Sequence, residues 1–155
     1  MSKDTTYRSH TLLFKSLGLY ARPATEFAAR FIGTPPMNLF PLSHNGSGLV
    51  IAGSDGPVLA PHVDAPALGG IRPEDLYLTE TGIPARVLDA EYLGADTVLA
   101  CAVGEARLLA RLAGRVTLQA GERVCLGSDA AIHLFDAASG ARIDAVAAIK
   151  ETVAA

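Results

Sequence analysis

Apolar and polar residues alternate over much of the second half of the chain, as they do in β-strands with one buried face. In the clearest segment, Leu108, Ala110 and Leu112 lie on one side of the alternation, and Arg107 and Arg111 lie on the other. Successive side chains of a strand point to opposite faces, so the three apolar residues are predicted to face a core and the arginines to face water.

Short apolar segments separated by turn residues recur along most of the chain. They lie at 37–42, 48–52, 57–60, 83–92, 97–103, 106–112, 116–118 and 124–126, and glycines or Asn-Gly and Asp-Gly pairs stand between many of them. Strands this short, about ten residues apart, favour a barrel over a doubly wound sheet. We therefore predict a mostly β fold built from short antiparallel strands.

Three local details refine this prediction. Segments 116–118 and 124–126 flank a turn at 119–122 and are predicted to pair. The alternation that starts at Ile83 slips near Leu88-Asp89, which predicts a β-bulge in a curved strand. Residues 64–69 contain Pro66 and lead into glycines, and are predicted to form a loop.

One short helix is predicted from about Pro23 to Ile32. Phe27 and Phe31 are four residues apart and share one helical face, and Gly33 followed by two prolines ends the helix. The aromatic face must be covered, either by the β core of this chain or by a partner domain.

Composition and charge exclude several classes of function. The chain of 155 residues has a formal net charge of −3 with acids and bases interspersed, so no basic stripe is available for a nucleic acid. The longest apolar runs, Val98–Val103 and Ala145–Ile149, are far shorter than the roughly 20 residues of a membrane helix. The polar start, with Asp4, is unlike a secretory signal, and we expect a cytoplasmic protein without direct membrane insertion.

Candidate chemistry is sparse. Cys101 and Cys125 stand apart from any Cys-x-x-Cys pair and are predicted to be small core residues with free thiols. The four histidines, at positions 10, 44, 62 and 133, have no metal-ligand spacing, and His133 is predicted to be a strand residue facing solvent or the edge of the core. No catalytic residue, cofactor site or metal site is predicted.

The stretch from Gly70 to Leu78 is the segment around which the rest is organised. Its Pro73-Glu74-Asp75 turn separates an apolar approach from an alternating exit strand. Arg72 precedes a proline and is therefore extended, which allows its side chain to pair with Glu74 across the turn. A local ion pair is one interpretation, and a contact of Arg72, Glu74 and Asp75 with a partner or regulator is the other.

Three sequence blocks carry a resemblance to a known family. They are Gly-Ile-Arg-Pro-Glu-Asp at 70–75, Glu-Tyr-Leu-Gly-Ala-Asp at 91–96 and His-Leu-Phe-Asp-x-x-x-Gly at 133–140, supported by 20–27 and 31–38. In this order they resemble the C-terminal regulatory domain, or TOBE domain, of ABC import ATPases of the maltose and sn-glycerol-3-phosphate type. The resemblance covers about Tyr20 to Ile143.

The resemblance implies a fold and a domain division. Such domains are OB-like β-barrels related to the MOP-like molybdate-binding folds. Residues 1–19 would be a poorly defined N-terminal segment, and 20–36 a helix and linker like the end of a nucleotide-binding domain. Residues 37–143 would be the TOBE domain, and 144–155 a C-terminal tail.

The resemblance also implies a function within a transporter. Such domains follow the ATPase domain, pair with the same domain of a second subunit and receive cytoplasmic regulators, while the ATPases energise import through ABC permease subunits. Phe27, Phe31 and Met37 would then form an association surface, and we expect a homodimer that is held at the membrane through the transporter complex.

ATP and magnesium belong to the ATPase domain of such relatives, and this sequence lacks the corresponding loop. A phosphate-binding loop needs two glycines five apart followed by a lysine and a hydroxyl residue. Gly48 and Gly53 have the spacing, but Ser54 and Asp55 follow them. We therefore expect a non-catalytic chain corresponding to the regulatory domain without the nucleotide-binding domain.

Two other functions remain open from the sequence. One is a free-standing barrel that binds molybdate or another oxyanion through backbone amides and small polar side chains. The other is a dimerisation module without a ligand.

Overall fold

The computed structural model describes residues 24–31, 35–64 and 66–143. These residues form one short helix, a single 3-10 turn at Pro73–Asp75, and ten strands. The helix is α1 (Glu26–Phe31), and the strands are β1 (Asn38–His44), β2 (Leu49–Ile51), β3 (Ala67–Ile71), β4 (Tyr77–Thr79), β5 (Ile83–Tyr92), β6 (Asp96–Val103), β7 (Ala106–Ala113), β8 (Arg123–Gly127), β9 (His133–Asp136) and β10 (Arg142–Ile143).

The strands form two antiparallel sheets of five strands each. The first sheet has the order β10-β9-β3-β1-β2, and the second has the order β4-β8-β5-β6-β7. All strands of the second sheet come from the chain between β3 and β9, so this sheet is an insertion into the first. The sheets curl into a half-barrel, and the predicted mostly β, OB-like fold is confirmed.

One apolar core lies between the two sheets. Phe40 and Ile71 of the first sheet belong to the same buried cluster as Leu99, Leu108 and Leu126 of the second sheet. Full burial of such a side chain contributes about 1.5–3 kcal/mol, so this shared core holds the sheets together.

The alternation predicted for β7 is present. Leu108 and Ala110 are fully buried and Leu112 is nearly so, while Arg107 and Arg111 are exposed. The predicted bulge is also confirmed, because the β5–β6 register shifts between Val87 and Asp89.

A polar side chain joins the sheets where no strand pairing does. Asn38 of β1 is 7% exposed; its Nδ2 donates to the Leu109 carbonyl oxygen, and its Oδ1 accepts from the Leu109 N–H, both at 2.8 Å. Leu109 lies on β7, which is an edge strand of the second sheet. The Asn38 amide therefore occupies backbone groups that an edge strand would otherwise leave unpaired.

The prediction of a loop at 64–69 is wrong, because β3 begins at Ala67. The glycines in this strand allow close packing rather than a turn. A Cβ at Gly69 would collide with the Phe40 ring, and a Cβ at Gly70 would lie 2.6 Å from Met37 Sδ. Side chains from β1 and the residue before it thus occupy the space over these glycines.

The predicted pairing of 116–118 with 124–126 is also wrong. Residues 115–119 form no strand, and β8 pairs with β4 and β5 instead. Val116 and Leu118 still pack against the core, so their apolar alternation reflects burial without strand pairing. Thr97 Oγ1 holds this segment by accepting from Val116 N–H at 2.9 Å and donating to the Gly114 carbonyl oxygen at 2.8 Å.

The predicted helix is present as α1, while Pro23 and Ile32 lie outside the described residues. Ala29 is fully buried in a cluster with Met37 and Phe135, so α1 packs on the first sheet of this chain. The predicted segments 1–19 and 144–155 also fall outside the described residues. Across the described ranges, no helix has the length and hydrophobicity needed to span a bilayer.

Candidate regulatory surface

The Arg72–Asp75 turn follows directly from β3 and has a fixed backbone. Arg72 is extended at φ −75° and ψ 141°, as expected for a residue before proline, and Pro73 opens the 3-10 turn. Asp75 N–H donates to the Arg72 carbonyl oxygen at 3.0 Å, and Leu76 N–H donates to the Pro73 carbonyl oxygen at 3.3 Å. This geometry leaves Glu74 exposed at the tip of the turn.

Arg72 is buried, which its sequence context did not indicate. Its residue is 2% exposed, and burial lowers the pKa of its guanidinium while the nearby Asp75 opposes that change. Burial likewise raises the pKa of the half-buried Asp75 carboxyl, and Arg72 opposes it. Arg72 and Asp75 thus act on each other's charge within the turn, while the predicted pair of Arg72 with Glu74 stays a prediction.

Beside this turn lies a cleft that the sequence patterns did not predict. It has a volume of about 280 Å3 and is lined in part by Ile71, Tyr77, Thr81 and Ser128. Tyr77 is 42% exposed, and its hydroxyl donates to Asp129 Oδ1 at 3.1 Å, which raises the pKa of the phenol. Tyr77 and Asp129 are 52 residues apart, so local sequence patterns did not indicate their contact.

The predicted association surface requires one correction. Met37 is only 4% exposed and packs against Ala29 and Phe135, so this chain itself covers it. Phe27 and Phe31 belong to α1, but their side chains lie outside what the structure describes, and their role in association stays a prediction.

The remaining candidate residues are the two cysteines and the histidines. Cys101 and Cys125 are free; Cys101 is fully buried, which raises the pKa of its thiol to about 11, and Cys125 is half-buried. His133 lies in β9 at the core edge, with its Nδ1 2.9 Å from Arg142 Nη2.

His44 and His62, which are 18 residues apart in sequence, meet in the structure, although their spacing had given no sign of it. Within the described residues, no group of three or more His, Cys, Asp or Glu side chains could hold a metal ion.

Comparison with known proteins agrees with this geometry. The family model described as "TOBE domain" matches residues 69–135, which run from β3 through the turn and the whole second sheet into β9.

Several ABC transporter proteins align with most of this chain. An uncharacterized ABC transporter ATP-binding protein, y4oS of Sinorhizobium fredii, is 40% identical over 142 residues, which cover 82% of this chain and 36% of that protein. The sn-glycerol-3-phosphate import ATP-binding protein UgpC of Cupriavidus metallidurans is 36% identical over 150 residues, covering 84% and 40%. UgpC of Chromohalobacter salexigens is 40% identical over 139 residues, covering 82% and 37%.

These matches identify the type of domain in this chain and the protein family to which the chain belongs. The chain carries a TOBE domain. It belongs to the family of ABC transporter ATP-binding proteins and aligns with the C-terminal part of its relatives. The matched region spans about two fifths of the length of the curated relatives.

Proposed function

We propose that this chain is the regulatory and dimerisation domain of the ATP-binding subunit of an ABC importer for sugars or glycerol-3-phosphate. The observation that carries the proposal is the alignment of more than four fifths of this chain with UgpC proteins of several organisms. Its partners would be a second copy of the subunit, the permease subunits and cytoplasmic regulators. The domain would lie on the cytoplasmic side of the membrane, held there by the complex.

In this proposal the Arg72–Asp75 turn acts as a rigid contact element. The turn is held by the backbone hydrogen bonds from Asp75 N–H to Arg72 and from Leu76 N–H to Pro73, and Glu74 is exposed at its tip. The cleft beside it offers Tyr77 and apolar walls to a regulator. An exposed carboxylate next to a partly apolar cleft suits a protein partner with a basic group at the rim of its interface.

ATP hydrolysis would take place in the ATP-binding domain of the subunit. ATP and magnesium would bind there, and the present residues would transmit regulation without contacting the nucleotide. This division is supported by Ser54 and Asp55 standing where a phosphate-binding loop needs lysine and a hydroxyl residue.

A domain exchange tests the proposal. Residues 37–143 would replace the corresponding domain of C. metallidurans UgpC, and the chimera would be reconstituted with its permease and binding protein. We expect glycerol-3-phosphate uptake close to that of the parent subunit, whereas a subunit truncated before this domain serves as control. A chimera that assembles but behaves like the truncated control would contradict the proposal.

A second measurement separates the proposal from an oxyanion-binding barrel. Isothermal titration of the chain with molybdate, sulfate and phosphate should give no binding at micromolar concentrations. Saturable micromolar binding of any of these anions would favour a free-standing anion-binding function instead.

A further inference from the structure

Two imidazole rings from separate segments meet on the surface of the first sheet. His44 is the last residue of β1, and His62 lies in the segment that follows Ala60. Their Nδ1 atoms are 3.1 Å apart, and their ring centroids are 4.3 Å apart with an interplanar angle of 39°. The two Nδ1 atoms are therefore in contact, and the tilted rings partly overlap.

One strand residue brings the two histidine-bearing segments side by side. Leu49 of β2 is the register partner of His44 and forms an isolated bridge with Ala60 on its other side. Leu49 N–H donates to the Ala60 carbonyl oxygen at 2.8 Å, and Leu59 N–H donates to the Leu49 carbonyl oxygen at 2.7 Å. Strand pairing thus positions His44, and the bridge at Ala60 places the start of the segment that carries His62 next to it.

A carboxylate orients the second ring. Asp64 Oδ1 lies 3.1 Å from His62 Nε2, so the Nε2–H of His62 donates to it. This hydrogen bond leaves the lone pair of His62 on Nδ1, the atom that faces His44. A histidine whose far nitrogen donates to a carboxylate is the usual arrangement of metal-ligating histidines in proteins.

We propose that His44 and His62 form a two-histidine site for a divalent transition metal such as Zn2+, Ni2+ or Cu2+. Two nitrogens bound about 2.0–2.1 Å from a tetrahedral ion lie roughly 3.3 Å apart, so the Nδ1 separation of 3.1 Å needs only a small adjustment. Neutral imidazole suits these ions. Among the described residues no third protein ligand joins the pair, so water completes the coordination and the ion exchanges readily.

The space beside the pair is adequate for these waters. A cleft of about 350 Å3 is lined by both histidines and Asp64, with Leu42, Leu49 and Val63 forming apolar walls. Apolar walls next to imidazole ligands limit solvent on one side and leave the other side open.

Titration of the untagged full chain with Ni2+ and Zn2+ tests the proposal. We expect one ion per chain, and His44→Ala or His62→Ala should weaken binding at least about tenfold. Asp64→Ala should weaken it by about tenfold, through lost orientation of His62. His10→Ala is the control and should leave affinity unchanged.

Spectroscopy of the wild-type chain gives an independent readout. The imidazole proton signals of His44 and His62 should shift together on addition of Zn2+, and Cu2+ should show two coordinated nitrogens in its paramagnetic resonance spectrum. Absence of binding, or binding that both alanine variants retain, would overturn the site and leave a plain Nδ1–H to Nδ1 hydrogen bond. Wild-type spectra decide the question even if a variant fails to fold.

Discussion

At the scale of single residues, three buried polar side chains are tied to specific partners. Asn38, Arg72 and Thr97 are the buried polar or charged residues among those described. A buried polar group that loses its partner costs about 1–3 kcal/mol, while the bond itself contributes less. The stability of this domain should therefore be most sensitive where one such group serves two backbone atoms.

Thr97 gives the first prediction. Thr97→Val keeps the shape but removes the hydroxyl that binds Gly114 and Val116, and should lower the free energy of unfolding by about 1–3 kcal/mol. Thr97→Ser keeps the hydroxyl and should lose less. Urea denaturation measures both, and a loss in Thr97→Ser as large as that in Thr97→Val would contradict a leading role of the hydroxyl.

Asp136 gives a pH-dependent prediction. Its Oδ1 accepts from Ser139 N–H at 2.8 Å and from Ala138 N–H at 2.9 Å, which holds the pKa of the carboxyl below its usual value. A depressed folded pKa stabilises the fold above the unfolded pKa of about 3.9, and this contribution disappears as pH falls through the folded value.

Asp136→Asn retains an oxygen acceptor but no charge. Its urea midpoint should lie below that of the wild type at about pH 6 and approach it as pH falls through the lowered pKa of Asp136, where both side chains become neutral. A difference that stays constant over this range would contradict the assignment to the carboxylate.

At the scale of elements, burial patterns predicted strands well but not their partners. The alternation of Leu108, Ala110 and Leu112 depends only on which face of β7 is buried. Neighbouring residues in the sequence are enough to indicate that face. The failure at Gly69 arose because the Phe40 ring that fills its space is distant in sequence. Segment 116–118 failed for the same reason, since its partner is the Thr97 hydroxyl and not a strand.

The candidate sites were harder to predict than the strands. Arg72 and Asp75 were found from their turn, but burial of Arg72 depends on the assembled sheets. His44 and His62 meet only because Leu49 pairs with the chain on both sides. Contacts of this kind are set by topology, which short-range sequence patterns do not specify.

The link between Asn38 and Leu109 gives a prediction at this scale. Asn38→Leu should destabilise the domain by about 1–3 kcal/mol for each Leu109 backbone group left without a partner. Asn38→Asp can still accept from the N–H but cannot donate while ionised.

The carboxyl introduced by Asn38→Asp would be buried next to the Leu109 carbonyl oxygen, so its pKa should rise. This variant should therefore become more stable as pH falls through that raised value, because the protonated carboxyl can donate to that oxygen. Urea midpoints at several pH values test this, and loss of stability on acidification relative to wild type would contradict it.

At the scale of the whole molecule, we predict a homodimer at micromolar concentration. The family resemblance seen in the sequence implies pairing of such domains, and burial of a large aromatic side chain in an interface would add about 1.5–3 kcal/mol. Phe27→Asp combined with Phe31→Asp should weaken the dimer if α1 lies in the interface. Sedimentation velocity is the measurement. A chain that is still monomeric at about 100 μM would contradict the prediction, because its free energy of association would then be weaker than about −5.5 kcal/mol.

The Asn38 amide also makes one backbone proton a reporter of slow motion. The Leu109 N–H lies on the edge of β7, and its hydrogen-bond partner is a side chain of the other sheet. Its exchange with deuterium requires the two sheets to separate locally, whereas an ordinary edge amide exchanges by fraying. Exchange at Leu109 should therefore be slow in the wild type and fast in Asn38→Leu, and its rate measures how often the half-barrel opens.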